Sequence, residues 1–234
     1  MTTIASGPLI DEKPREGNRV LRRFLKKRSA LVAGGFVLFF VIVALAAPLV
    51  APYDPLKTNF LAIRQSPSWA HLLGTDEVGR DLLSRLIWGA RASLFAGIIP
   101  VCIALAISIP FGLLSGFAGG WTDALIMRFT DAMLSIPFLV IAIALSAVLG
   151  PSLGNAMIAI GIAALPLFLR LARGAVLAVR NEDYIEAARA GGASSLRIAF
   201  RHILPNIVPP MLTQASLTMA SAIIAEASLS FLGL

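Results

Sequence analysis

Residues 132–169 read AMLSIPFLVIAIALSAVLGPSLGNAMIAIGIAALPLFL, 38 residues without one charged side chain. About 20 predominantly apolar residues carry a helix across a bilayer core, so this run is too long for one span. The turn-rich cluster Gly150-Pro151-Ser152-Leu153-Gly154-Asn155 divides it. Outward from this stretch, residues 30–52, 92–122 and 203–225 are also free of charge. The pattern predicts an all-α polytopic transmembrane helix bundle with five spans, at about 31–50, 92–117, 124–149, 155–178 and 207–231. The roughly ten-residue polar/apolar alternation of a membrane barrel strand is absent from the sequence.

Composition agrees. The 234 residues are 57% hydrophobic and only 14% charged, against about a quarter charged in an average soluble domain, and mean hydropathy is +0.83. That excludes an ordinary soluble globule and, because disordered chains are poor in apolar residues, a disordered one. The net charge of +7 raises nucleic acid as a partner, but the basic residues flank apolar spans and no soluble basic domain is left to hold a duplex. Residues 1–29 carry Lys13, Arg15, Arg19, Arg22, Arg23, Lys26, Lys27 and Arg28, and the segment from Arg170 to Arg201, which begins within the last part of the fourth span, carries Arg170, Arg173, Arg180, Arg189, Arg197 and Arg201. Five spans put both regions on one side, and the excess of Lys and Arg makes that side cytoplasmic. Residues 1–29 are then a basic cytoplasmic tail, 51–91 an outside segment, and 30–234 the membrane domain. Ala44-Leu45-Ala46 resembles a signal-peptidase site, but the long preceding charged region and long apolar run predict that the first span is retained. The spacing of Val20, Leu21, Phe24 and Leu25 among basic residues fits a short helix on the anionic inner leaflet.

Catalytic chemistry finds no footing. Cys102 is the single cysteine, which excludes an intrachain disulfide and a cysteine metal cluster. His71 and His202 fall on opposite sides of the bilayer in this topology. No phosphate-binding Gly-x-x-x-x-Gly-Lys-Ser/Thr loop occurs, so any ATP that powers the chain is hydrolysed by another subunit.

The loop 180–206 carries the most specific pattern. Helix formers run from Glu182 to Ala190, Gly191-Gly192 breaks them, and Ser194 or Ser195 is placed to cap a second helix. Leu196, Phe200 and Leu204 recur every four residues beside Arg197 and Arg201, and Pro205 is expected to stop the helix before the fifth span. Such a bent helix pair suits a knob entering a groove on a cytoplasmic partner. Small Ala187, Ala188 and Gly192 permit close approach, and Leu196 and Phe200 could serve as anchors. A helix pair that merely links two spans has the same pattern.

Glu186-Ala187-Ala188, Gly192 and Leu204-Pro205 resemble, in their spacing, the EAA loop of ABC-importer permeases. His202 is similar to the residue found in the dipeptide, oligopeptide and nickel branch. Residues 73–85, LGTDEVGRDLLSR, then 89–94, GARASL, and 226–234, EASLSFLGL, resemble that branch as well. The resemblance implies an inner-membrane permease that is not itself an enzyme and binds no cofactor, ATP and Mg belonging to partner subunits. It implies a second homologous permease, two cytoplasmic ATPases gripping the EAA loops, and an extracytoplasmic substrate-binding protein. Glu186, Ala187, Ala188, Gly192, Leu196, Phe200, His202, Leu204 and Pro205 would form the ATPase-coupling element. Relatives continue into a sixth span, so the chain is expected to be one span short. A secondary transporter or channel independent of ATPases is the alternative, and a non-transporting scaffold a third. The alternative would be marked by inverted repeats, and no clear repeat is present.

Charges within spans are costly and either pair or face a cavity. Arg128 and Asp131 share a helical face, which suggests either an internal ion pair or a polar contact in the pathway. Glu226, deep in the fifth span, lacks a cation nearby in sequence and needs a tertiary or water partner. Gly112, Gly116 and Gly120 form a small-residue ridge for helix packing. Thr75 is expected to cap a helix leading into span two, with Asp76 at its positive end.

Overall fold

A computed structural model describes residues 25–234. The leaflet helix expected over residues 19–28 lies largely outside the described residues. The chain divides into two compact units, one ending at Arg91 and one covering Ala92–Leu234.

The first unit holds α1, Arg28–Leu45, and the short α2, Ala47–Val50. Helix α1 is apolar on all sides and almost wholly exposed, with Phe36, Phe39 and Ile42 each more than half accessible. A helix apolar all round is a membrane span rather than a surface helix. Residues 51–81 contain no named helix, yet they are tightly cross-braced. The Thr75 hydroxyl is buried, donates to the Ala62 carbonyl and accepts from the Gln65 amide at 2.9 Å. Asp76 accepts from the Val78 and Arg80 amides at 3.0 and 2.9 Å and from Arg80 Nε at 2.7 Å. It also pairs with Arg85. Gly79 has φ +76° and lies against the Asn59 carbonyl, where no Cβ could fit.

The residue that caps the next helix is Asp81, not Thr75. Its Oδ2 accepts from the Ser84 amide at 2.8 Å and the Ser84 hydroxyl at 2.7 Å, and Ser84 in turn accepts from the Tyr53 amide at 3.0 Å. His71 Nδ1 meets the other Asp81 oxygen at 3.0 Å. The spacing favours Thr75 because it too precedes an apolar run, but the helix starts seven residues later, at Leu82, and the Thr75 hydroxyl is committed to the loop.

Burial pushes the Asp76 and Asp81 carboxyls up. Hydrogen bonds outweigh this at both sites, from Arg80 and Val78 at Asp76 and from Ser84 and His71 at Asp81, and hold both acids below the usual carboxylate range. An acid whose folded pKa is depressed contributes stability above its unfolded pKa and loses it as pH falls toward the folded value. Protection of the segment's amides from hydrogen exchange should therefore be constant near neutrality and decline once pH drops below about 4, the ordinary Asp value. Asp81→Asn should flatten that decline.

Helix α3, Leu82–Ala118, is 37 residues long. The outer helix and the second span expected separately are one continuous helix that runs through Pro100 and Pro110. In the second unit α4, Gly120–Leu134, and α5, Phe138–Leu149, follow. They bend by 90° at their junction, where a continuous span 124–149 was expected. Pro137 accounts for the break: it lacks an amide donor and forces Ile136 out of the helical region. The Ser135 hydroxyl meanwhile caps the Ala132 carbonyl at 2.7 Å.

Helix α6, Leu153–Val179, is the hub. Ser152 caps it by accepting from the Asn155 amide at 3.1 Å, and twelve of its residues are buried. Phe168, Ala172 and Ala164 pack with Val101, Ala104 and Met211, and Ile160 and Ala163 with Ala142, Ala222 and Leu229. Gly112 lies against Ala172 and Gly116 against Val176, so two members of the glycine ridge allow α3 to touch α6. Gly120 does not take part: it has φ +57° and open space around it, because it opens α4 beyond the end of α3. Four described helical stretches are long and apolar enough to cross a membrane, or five when α4 and α5 count as one span.

Candidate functional site

The loop after α6 folds as α7, Asp183–Ala190, then α8, Ser195–Ile198, a π-turn over Ala199–Ile203, and α9, Leu204–Phe231. Gly192 at φ +79° ends α7. The Ala193 amide reaches the Ala188 carbonyl at 3.0 Å and the Gly192 amide reaches the Arg189 carbonyl at 2.9 Å, the paired bonds of a Schellman motif. Ser194, the first of the two candidate serines, caps α8 by accepting from the Arg197 amide at 3.4 Å.

Pro205 does not stop the helix. It stands in the first turn of α9, where a missing donor is tolerated. The π-turn before it widens the backbone, a usual way for a helix to absorb such a fault. That turn also shifts the side-chain register. Ile198, Ile203 and Ile207, five and four apart, face inward and are fully buried with Ile185, Val176 and Leu113. These isoleucines anchor the loop, and the sequence reading missed them because it assumed a uniform four-residue stripe. The five-residue gap between Ile198 and Ile203 was the available signal.

The anchored loop presents Glu186, Ala187, Gly191 and Gly192 outward, all exposed. Ala188 is half-buried against the isoleucine cluster. Leu196 and Phe200 are 72% and 61% exposed and line an apolar cavity of about 280 Å³ with Phe117, Leu114, Pro110 and Leu204. His202 and Leu204 are half-buried and Pro205 is exposed. Asn206 Nδ2 donates to the His202 carbonyl at 2.6 Å and to the Tyr184 hydroxyl at 3.1 Å, which ties α7 to the base of α9. Arg180 Nη1 donates to the Gly116 carbonyl at 2.8 Å, and Arg189 lies over the Phe117 ring at 5.7 Å.

The intramembrane charges pair across helices. Asp123 on α4 accepts two bonds from Arg173 on α6, at 2.5 and 2.7 Å, and one from the Ser115 hydroxyl at 2.5 Å. Asp131 pairs with Arg170 at 2.5 Å, not with Arg128, which is exposed on the same helix. Proximity in sequence suggested the wrong partner; α6 brings a better-directed guanidinium alongside. Glu226 is half-buried on α9, with no ion pair among the described residues.

Residues 108–234 match the family described as the binding-protein-dependent transport system inner membrane component, and residues 17–67 match the N-terminal TM domain of oligopeptide transport permease C. The chain belongs to this family of inner-membrane transport components. It is 41% identical to the dipeptide transport system permease protein DppC of Haemophilus influenzae, over 90% of this chain and 74% of that protein. It is 48% identical to the di/tripeptide permease protein DppC of Pseudomonas aeruginosa, over 90% and 72%, and 42% identical to the glutathione transport system permease protein GsiD of Pectobacterium atrosepticum, over 91% and 71%. A chain from inward-facing conformations of the MetNI methionine ABC transporter shares the fold, with TM-score 0.56 at 22% identity, over 63% of this chain and 74% of that one. The protein is thus a multi-pass inner-membrane permease subunit of an ABC importer. It is not itself catalytic, and it works with a separate ATPase and a substrate-binding protein.

Proposed function

We propose that this permease moves peptides or related small solutes inward by alternating access, with a second homologous permease, two cytoplasmic ATPases and an extracytoplasmic binding protein. Its basic N-terminus and the loop 180–206 lie in the cytoplasm. The relatives' peptide and glutathione substrates support the substrate class, and the clustering of positive charge supports the orientation.

One observation carries the coupling role. Glu186, Ala187, Gly191 and Gly192 at the tip are exposed, while the isoleucines beside them are locked into α3, α6 and α9. A push on the tip by an ATPase is then delivered to packed helices, and close-packed interiors transmit strain rather than absorb it. Glu186, Ala187 and Gly192 would meet the ATPase, with Leu196 and Phe200 at the flank of the contact. Ala188, His202, Leu204 and Pro205 would hold the loop's shape.

The test is ATPase copurification and uptake in Glu186→Lys and Gly192→Pro. A proline cannot adopt φ +79°, so Gly192→Pro should remodel the tip while the buried isoleucines keep the bundle folded. Both variants are expected to lose most uptake and to retain less ATPase on purification. Normal assembly together with normal uptake in both would overturn the coupling role.

A further inference from the structure

An ion pair and a groove meet at Arg170 on one side of α6. Arg170 and its partner Asp131 are 58% and 59% exposed at the side chain. A groove of about 660 Å³ between α6 and α9 is lined by Arg170, Gly174, Asn206, Pro210 and Gln214 among apolar neighbours. Arg170 lies roughly 6 Å from the midpoint of α6 at 1.5 Å per residue, well inside the half-thickness of about 15 Å of a hydrocarbon core. An exposed ion pair at that depth cannot face lipid without a large penalty.

We propose that this groove is a water-filled wall of the translocation pathway, and that Arg170 and Asp131 receive the carboxylate and ammonium of a zwitterionic solute. The inference rests on the transport function proposed above. A solute carrying both charges satisfies both members of the pair at once. A singly charged solute that displaced the Arg170–Asp131 bond would leave one of the two without its counter-charge, whereas a zwitterion replaces both contacts. Gln214, whose Nε2 donates to the Thr218 hydroxyl at 3.3 Å, keeps its amide oxygen as an acceptor on α9 for the solute's own amide N–H.

The test uses the transporter assembled with its partner subunits in proteoliposomes, in a Cys102→Ser background. Arg170→Cys and Gln214→Cys are expected to react with a membrane-impermeant cationic thiosulfonate. Reaction only with an apolar maleimide, or with neither reagent, would assign this face to lipid or to a packed partner and overturn the proposal. Uptake of a free dipeptide should fall at least about tenfold in Arg170→Gln, the scale of a lost hydrogen bond to a charged group, and should be largely kept in Arg170→Lys. Equal losses in the two variants, or no loss in Arg170→Gln, would overturn the solute contact. If the parent transporter takes up no dipeptide while both cysteines still react, the transport reading for peptides fails and the hydrated groove stands.

Discussion

Asp123→Ala should destabilise the membrane bundle by about 1.5–3 kcal/mol, the scale of hydrogen bonds to a charged group, because the Asp123–Arg173 pair is only partly buried. The carboxylate takes both faces of the Arg173 fork and the Ser115 hydroxyl, so a single truncation leaves three donors unmet between α3, α4 and α6. Arg173 cannot relieve the defect by losing its proton, because a guanidinium stays charged in proteins. Arg173→Met should cost a similar amount. The double variant Asp123→Leu, Arg173→Met should recover much of the loss, since a packed apolar pair often equals or exceeds a buried ionic one. Detergent-solubilised protein followed by thermal unfolding would read the cycle. Strictly additive single and double effects would show that the two charges are not coupled.

The neighbouring pair is built differently, and the contrast sharpens the expectation. Asp131–Arg170 has one bond, not two, and is over half exposed. Neutralising it should cost little stability and act on transport. The same chemistry, about two helical turns apart on α4 and under one turn apart on α6, therefore divides between a fastener and a surface available to solute.

The spans were legible because membrane crossing needs only length and apolar composition, and both are sums over sequence. The branch-specific stretch LGTDEVGRDLLSR was legible as a resemblance but not as a structure. Its meaning is a set of hydrogen bonds between Thr75, Asp81, Ser84 and residues 53–71, and no local pattern encodes those partners. The same holds for the charged residues of α4: periodicity paired Asp131 with Arg128, while the observed partner is 39 positions away. In the coupling loop the outward residues were visible as a motif, but the inward ones depended on a π-turn that moved the register by one residue. Pro137 was visible too. What could not be read was whether it would bend a span or break it, since that depends on whether neighbouring helices re-satisfy the freed carbonyls.

Gly116→Val is expected to prevent stable assembly of the bundle. A Cβ at Gly116 would stand 2.7 Å from Val176 Cβ and Cγ1 and 3.1 Å from the Arg173 carbonyl, closer than packed carbon atoms approach. Valine adds two methyl groups beyond that first collision. Overpacking usually costs about 1–3 kcal/mol and occasionally more, and here relaxation has nowhere to go. The Gly116 carbonyl is held by Arg180 at 2.8 Å, Arg173 is pinned to Asp123, and Val176 is fully buried among Ile185, Ile198 and Ile203. The strain should therefore reach the coupling loop as well as the helix contact. Val176→Ala should partly rescue Gly116→Ala by vacating the methyl positions that a new Cβ meets, although it should do less for valine. Gly89→Ala is the control: its Cβ would meet nothing within 4 Å, so the better helix former should stabilise α3 by roughly 0.5–1 kcal/mol. Monodispersity on size exclusion and the unfolding midpoint would separate these cases. A folded, fully stable Gly116→Val would mean that α3 and α6 do not pack through this glycine.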